Sequence, residues 1–398
     1  MAVRGFRHAG NPKSLIASLV HFDVSFMVWV LLGALGPYVA SDLGLSSAQK
    51  GLMVAVPPLG GSVFRLILGP LSDRIGIKRL GLITLALTAI PLAYAALRAQ
   101  TYAEVLLVGL LLGIAGASFA VAIPLTSRWY PPEYQGIALG LAGAGNSGTV
   151  VSALAAPRLA EHVGWHGVFA LALVPVACAF VAFALLASEP PKPARRERGG
   201  IVPLLGVSDA RWLCTFYAVT FGGFVGLSGY LPIFFVDRFE LTKVTAASYA
   251  ALCAVAGSLL RPVGGTLSDR FGGTSVLAAV LGAVAALTFG LAALPGLGVT
   301  VMSLFAVLGL LGMGNGAVFQ MVGVRLPDRV GSTTGLVGAA GGIGGFLLPF
   351  LFGWLKQETG GFAAAFVLLA TVAAIAALAV WTRQRKWFPS VSTIGVSA

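Results

Sequence analysis

The chain has 398 residues, of which 57% are hydrophobic and 10% charged, and a formal net charge of +12. A soluble domain carries about 25% charged residues, so this composition excludes a soluble multidomain enzyme. It leaves a chain that can fill about twelve membrane helices at about 20 residues each, with short connections. A soluble protein so basic would suggest a nucleic-acid partner. Here the placement of the charge argues for a lipid bilayer and no nucleic acid.

Apolar runs predict spans at 15–39, 48–71, 80–98, 102–126, 136–157, 166–188, 211–235, 245–267, 274–294, 297–322, 332–355 and 361–382. The first run follows Arg4, Arg7 and Lys13 with no clear small-residue cleavage site, so it reads as a retained first helix rather than a signal peptide. On this topology 18 of the 26 Lys and Arg residues fall on the side of both termini and 6 on the other, with Arg65 and Arg261 inside spans. The positive-inside rule then predicts a multi-pass protein of the cytoplasmic membrane with both termini cytoplasmic. His162 and His166 fall in a loop with Trp165, without the Glu arrangement of a zinc helix. No metal or cofactor is expected. Cys178, Cys214 and Cys253 sit in apolar runs, and their odd number gives no paired framework.

Residues 64–76, FRLILGPLSDRIG, return at 260–272 as LRPVGGTLSDRFG, which pairs Arg65 with Arg261, Asp73 with Asp269 and Arg74 with Arg270 at a constant shift of 196. A glycine-rich stretch at 136–148 returns at 331–345. The repeat predicts an all-α integral membrane fold of two pseudo-symmetric six-helix halves, 1–188 and 211–398. Between them lies a linker at 189–210 that contains the Pro-rich, charged run EPPKPARRERGG. Gly69, Leu71, Ser72, Asp73, Arg74 and Gly76 resemble the signature of the major facilitator superfamily, over a chain of matching length and organisation. That resemblance implies the major facilitator fold and gating contacts, on the side of the termini, for Asp73, Arg74, Asp269 and Arg270.

Arg65 and Arg261 each lie eight residues before the Asp of their repeat. That is about 12 Å along a helix, near the middle of a hydrocarbon core about 30 Å thick. A guanidinium cannot be deprotonated there, and each costs at least about 2.5 to 3.5 kcal/mol to insert. Asp23 is the one acid placed deep inside a predicted span, and one carboxylate cannot neutralise both, so the site should be electropositive and take an anion. The guanidinium fork matches planar two-oxygen groups such as nitrate, nitrite or a carboxylate.

Gly136, Gly140, Gly143, Gly145 and Gly148 strip one helix face for close packing, and Asn146 among them is a lone amide that needs a partner. Gly143, Gly145, Asn146 and Gly148, the 341–345 glycine run and the two arginines resemble the nitrate/nitrite porter family. That resemblance implies a secondary active transporter of nitrate and nitrite, monomeric, working by alternating access. It implies that Arg65 and Arg261 clamp the anion, Asn146 contacts it, and Tyr217 and Phe221 touch it from the seventh helix. Phe26, Phe119 and Phe319 would form aromatic walls. His21 and Asp23 are candidates for proton coupling, and on their account proton symport is favoured over nitrate/nitrite exchange. The alternative substrate is a small carboxylate carried on the same arginines. No cluster of catalytic carboxylates, His or Cys suggests an enzyme, no long polar segment suggests a sensor, and no nucleotide-binding loop suggests an ATP-driven pump.

Overall fold

The structure is a computed structural model that describes residues 8–131, 134, 138, 141–142, 144–191, 202–326 and 329–387. Its regular elements are all helical among the described residues. The first crossing starts where Asn11 accepts a hydrogen bond from Ser14 N at 3.1 Å and Pro12 opens the helix. It runs through three pieces, α1 (Pro12–Trp29), α2 (Leu31–Ala34) and α3 (Gly36–Asp42). The helices α4 (Ser47–Ile75), α5 (Ile77–Leu97), α6 (Tyr102–Gly116) and α7 (Phe119–Ser127) follow, and α4 and α6 each begin on a capping box, Ser46 with Gln49 and Thr101 with Glu104.

After a short 3₁₀ turn, Ala144–Ser147, α8 covers Gly148–Leu186. At about 1.5 Å per residue α8 is nearly twice as long as the hydrocarbon is thick. It is divided at Gly164, whose φ of 69° and ψ of 169° are not helical. The described part of the predicted span 136–157 and the span 166–188 are therefore joined by one glycine turn. His166 lies at this turn, stacked on Trp165 with ring centroids 3.5 Å apart, and its Nε2 is 2.7 Å from Ala99 O.

The remaining helices are α9 (Ser208–Phe239), α10 (Lys243–Phe271), α11 (Gly273–Leu291), α12 (Leu297–Arg325), α13 (Val330–Thr359) and α14 (Ala363–Trp387). Among the described residues, ten spans are long and apolar enough to cross a bilayer. Division of one at Gly164 and addition of the broken α1–α3 crossing bring the described residues to twelve. The sequence repeat has a structural echo: Gly76 and Gly272, which close the two signature copies, have φ of 91° and 85°. These left-handed turns between α4 and α5 and between α10 and α11 favour glycine.

α4 and α13 come from opposite halves and run together from Gly51 and Gly353 to the middle of the fold. There Ser62 Oγ donates to Ala339 O at 2.8 Å. A Cβ on Gly51 would lie 2.5 Å from Pro349 O, so side chains are excluded from this crossing. Beyond the midpoint, added Cβ atoms at Gly69 and Gly335 would meet nothing within 4 Å. The pair is closely packed at the end away from the termini. Glu189, at the end of the sixth crossing, accepts from Ile77 N at 2.8 Å and Lys78 N at 2.9 Å, which caps α5.

Candidate functional site

The site lies where α1, α4, α7, α9, α10 and α13 meet. Arg65 is buried, with 4% of its surface exposed. Its Nε and Nη2 donate to Gly116 O at 3.1 and 2.8 Å, and its Nη1 donates to Gly338 O at 2.7 Å. Three of the five guanidinium donors are thereby engaged, and one on each terminal nitrogen remains. The ring centroids of Trp29 and Phe221 lie 5.5 and 5.4 Å from its central carbon, so aromatic faces help to solvate the buried charge. Trp29 is itself fixed by donation from Nε1 to Pro57 O at 2.9 Å.

Arg261 is only half-buried. It reaches Tyr217 Oη with Nη2 at 3.5 Å, and its guanidinium lies 5.3 Å from the Phe319 ring centroid. Tyr217 and Phe221 are stacked 4.9 Å apart with a 7° angle between their planes. Phe319 closes edge-on against Tyr217 at 5.0 Å and meets Phe119 of the other half at 5.8 Å. Phe22, Phe26, Arg65, Phe119, Asn146, Tyr217, Phe221, Arg261 and Gly338 line a cavity of about 10 Å³. That is room for about one body the size of a water molecule. No carboxylate lines it among the described residues.

Asn146 belongs to the 3₁₀ turn before α8 and is 3% exposed, and its Oδ1 has no hydrogen-bond partner among the described residues. The glycines beside it explain how it gets there. A Cβ on Gly145 would lie 2.6 Å from the Phe22 ring, and one on Gly148 would collide with Asp23 O. Only a bare backbone lets this turn press against α1 and present the amide to the cavity. Gly136, Gly140 and Gly143 of the same stretch lie outside the described residues. In the repeat copy, a Cβ on Gly341 would lie 2.6 Å from the Tyr217 ring and 2.8 Å from that of Phe221, so Gly341 makes room for the aromatic stack.

Seven of the eight residues expected to contact the anion line one cavity, and Phe319 stands behind Arg261 as its aromatic support. The two proton-coupling candidates lie elsewhere. His21 is fully buried with Nε2 3.3 Å from both Gly81 O and Thr84 Oγ1, and its ring packs on Phe183 at 4.9 Å. Asp23 does not line the cavity and accepts from Ser147 Oγ at 2.6 Å. Arg74, Asp269 and Arg270 are exposed near the ends of α4 and α10, and the side chain of Asp73 lies outside what the structure describes. No ion pair joins Arg74, Asp269 or Arg270 to another described residue.

Phe22 and Gly338 were not singled out as anion contacts from the sequence. Phe22 precedes Phe26 by one helical turn, a spacing that puts both on one face. Gly338 contributes a backbone carbonyl, for which a sequence carries no signal.

Helical crossings in two repeated sets of six, around a midplane cavity at the repeat interface, define a secondary transporter. Residues 17–327 match the Major Facilitator Superfamily, and the chain belongs to it. A probable nitrate/nitrite transporter, NarK2, of Mycobacterium tuberculosis H37Rv is 37% identical over 355 residues, which cover 86% of this chain and 89% of the relative. A probable nitrate/nitrite antiporter, NarK1, of Thermus thermophilus is 36% identical and covers 92% and 90%. The nitrite extrusion protein of Bacillus subtilis is 32% identical and covers 89% and 90%. Within the superfamily the chain is therefore a nitrate/nitrite porter, a transporter and not an enzyme. A solved bacterial homologue of the human lysosomal transporter Spinster, inward-facing and occupied, shares the fold with a TM-score of 0.73 at 18% identity, over 94% of this chain and 98% of that one.

Proposed function

We propose that this protein exchanges nitrate for nitrite across the cytoplasmic membrane by alternating access around the Arg65–Arg261 cavity. The observation that carries this reading is the convergence of two repeat-related guanidiniums on one small, carboxylate-free space. The two free donors of Arg65 and those of Arg261 suit a planar monovalent oxyanion. A cavity this small has to widen to take even a three- or four-atom inorganic anion, and much further to take an organic acid.

Exchange is favoured over the proton symport expected from the sequence because Asp23 is held by Ser147 outside the lining. An empty pair of positive charges in the hydrocarbon resists reorientation, and a bound anion relieves it in either direction. In this reading 1–188 and 211–398 are the moving bodies, 189–210 is the linker, and the 18-to-6 charge split puts the termini in the cytoplasm. Residues 192–201 of that linker lie outside the described residues.

The test is uptake of labelled nitrate into proteoliposomes with and without internal nitrite, and with and without an imposed pH gradient. Uptake that requires internal nitrite or nitrate and ignores the pH gradient is expected. Uptake into anion-free vesicles with proton movement would establish symport instead. Competition by small carboxylates with no effect of nitrate would overturn the substrate.

A further inference from the structure

At the end away from the termini lies a second cavity, of about 340 Å³, between the halves. Ser41 and Lys50 line it from the first half, and Asp237 and Lys243 from the second. Its charges do not balance. Asp237 accepts from Lys50 Nζ at 3.0 and 3.2 Å and also from Lys356 Nζ, so one carboxylate serves two ammoniums. Lys243 has no carboxylate partner among the described residues. Its Nζ lies 4.6 Å from the Tyr38 ring centroid, a contact that attracts a cation without neutralising it.

The other described acids nearby form no ion pair with these lysines. Asp42 Oδ2 accepts from Trp165 Nε1 at 2.9 Å, while Glu161 and Glu240 are exposed and form no ion pair with these lysines. Of the lining side chains, Lys50 and Lys243 carry two positive charges against the one carboxylate of Asp237, which is shared with Lys356, and the side chains of Lys50, Lys356 and Asp237 are no more than 21% exposed. Partly dewatered excess positive charge at the mouth of a cleft focuses anions.

We propose that this cavity is an outer site for a small monovalent anion, held by Lys243 and Lys50 before it reaches the central arginines. The proposal rests on the anion-transport reading above and extends it. Lys50 belongs to α4 of the first half, whereas Asp237 and Lys356 belong to the second. An anion that competes with Asp237 for Lys50 therefore weakens the ion pair that joins the halves at their closed end. Beside that pair, Ala48 N donates to Gln357 Oε1 at 3.1 Å across the same seam. Arrival of the anion and release of the seam become one event, which suits a carrier that should open outward only when an anion is there to be taken.

The experiment measures the rate at which a neutral amine-acetylating reagent modifies Lys243 in the purified full-length protein, read by peptide mass spectrometry. Sodium nitrate is titrated against sodium gluconate, a strongly hydrated anion, at constant ionic strength. Nitrate is expected to slow modification several-fold and saturably. The protection should persist in Arg261→Gln protein, whose central site is impaired, and fall in Lys50→Gln protein. Equal reactivity in nitrate and gluconate would overturn the proposal. So would protection that disappears with Arg261→Gln, because it would then report the central site at a distance. Lys243→Gln replaces a half-buried side chain and should fold if Lys50→Gln does not. It should raise KM for external nitrate about three- to tenfold with kcat unchanged, and an unchanged KM would count against the site. If wild-type vesicles move no nitrate while Lys243 is still protected, the transport reading fails and the outer anion site stands.

Discussion

Replacement of Arg65 and of Arg261 by Lys should have different consequences, because the two guanidiniums are held differently. Arg65 joins Gly116 O of its own half to Gly338 O of the other and still keeps two donors for an anion. A Lys ammonium has three donors on a single atom and cannot span both carbonyls and the anion. Arg65→Lys should therefore lower both thermal stability and nitrate affinity. Arg261 makes one long hydrogen bond, to Tyr217, and is half-buried, so Arg261→Lys should leave stability near wild type. Its loss should fall on the anion alone. A hydrogen bond to a charged group contributes about 1.5 to 3 kcal/mol, so one lost anion contact weakens affinity by roughly tenfold to 150-fold. The assays are nitrate-dependent thermal shift on the purified variants and KM for nitrate/nitrite counterflow in proteoliposomes. Folded Arg261→Lys protein with wild-type nitrate affinity would refute the clamp. Equal loss of stability in both variants would refute the asymmetry.

Gly341→Ala should damage transport more than Gly338→Ala. A methyl at 341 would lie 2.6 Å from the Tyr217 ring, while one at 338 would make ordinary contacts of 3.7 and 3.8 Å with Arg65; counterflow rates of the two folded variants decide it. Asn146→Leu fills the cavity and removes its amide, so nitrate should no longer shift the melting temperature. An unchanged shift would make Asn146 a packing residue only. Gly51→Val would press a side chain on Pro349 O and Gly353, which should keep the far end from closing. Nitrate binding should survive and exchange should be lost, as binding and counterflow on the same preparation would reveal.

The parts of the site legible in the sequence are those whose side chains carry the chemistry. Arg65 and Arg261 stand out because charge inside a span is costly and because the repeat places them in register. What was less legible depends on direction around a helix and on backbone. His21, Phe22 and Asp23 are consecutive, and successive side chains on a helix diverge by about 100°. Phe22 therefore faces the cavity while His21 faces Gly81 and Thr84 of α5, and Asp23 faces Ser147. From the sequence, His21 and Asp23 are candidates and Phe22 is passed over, because only the helix orientation separates the three. The carbonyls of Gly116 and Gly338 are a stronger case. Their oxygens hold Arg65, yet a glycine in a membrane helix reads as packing. The break at Gly164 was legible as a gap between two apolar runs, but not as a single-residue turn.

The same carbonyls bear on why exchange suits this site. Backbone oxygens lower the cost of burying Arg65 without neutralising it, since a carbonyl is a dipole and not an anion. Arg261 has less help, with a phenol at 3.5 Å and an aromatic face. The empty site therefore keeps two net positive charges in a medium where each costs at least about 2.5 to 3.5 kcal/mol, and a carboxylate placed between them would cancel the need for substrate. In the proposed exchange, with Asp23 held outside the lining, the charge that permits reorientation arrives with the cargo. The bond from Arg65 to Gly338 O adds a geometric reason, because it crosses between the halves at the depth of the site. An anion between the arginines draws Arg65 and Arg261, one from each half, toward a common partner. Occupancy thus supplies the charge that the empty site lacks and adds an anion-bridged contact to the one Arg65 already makes with Gly338 O.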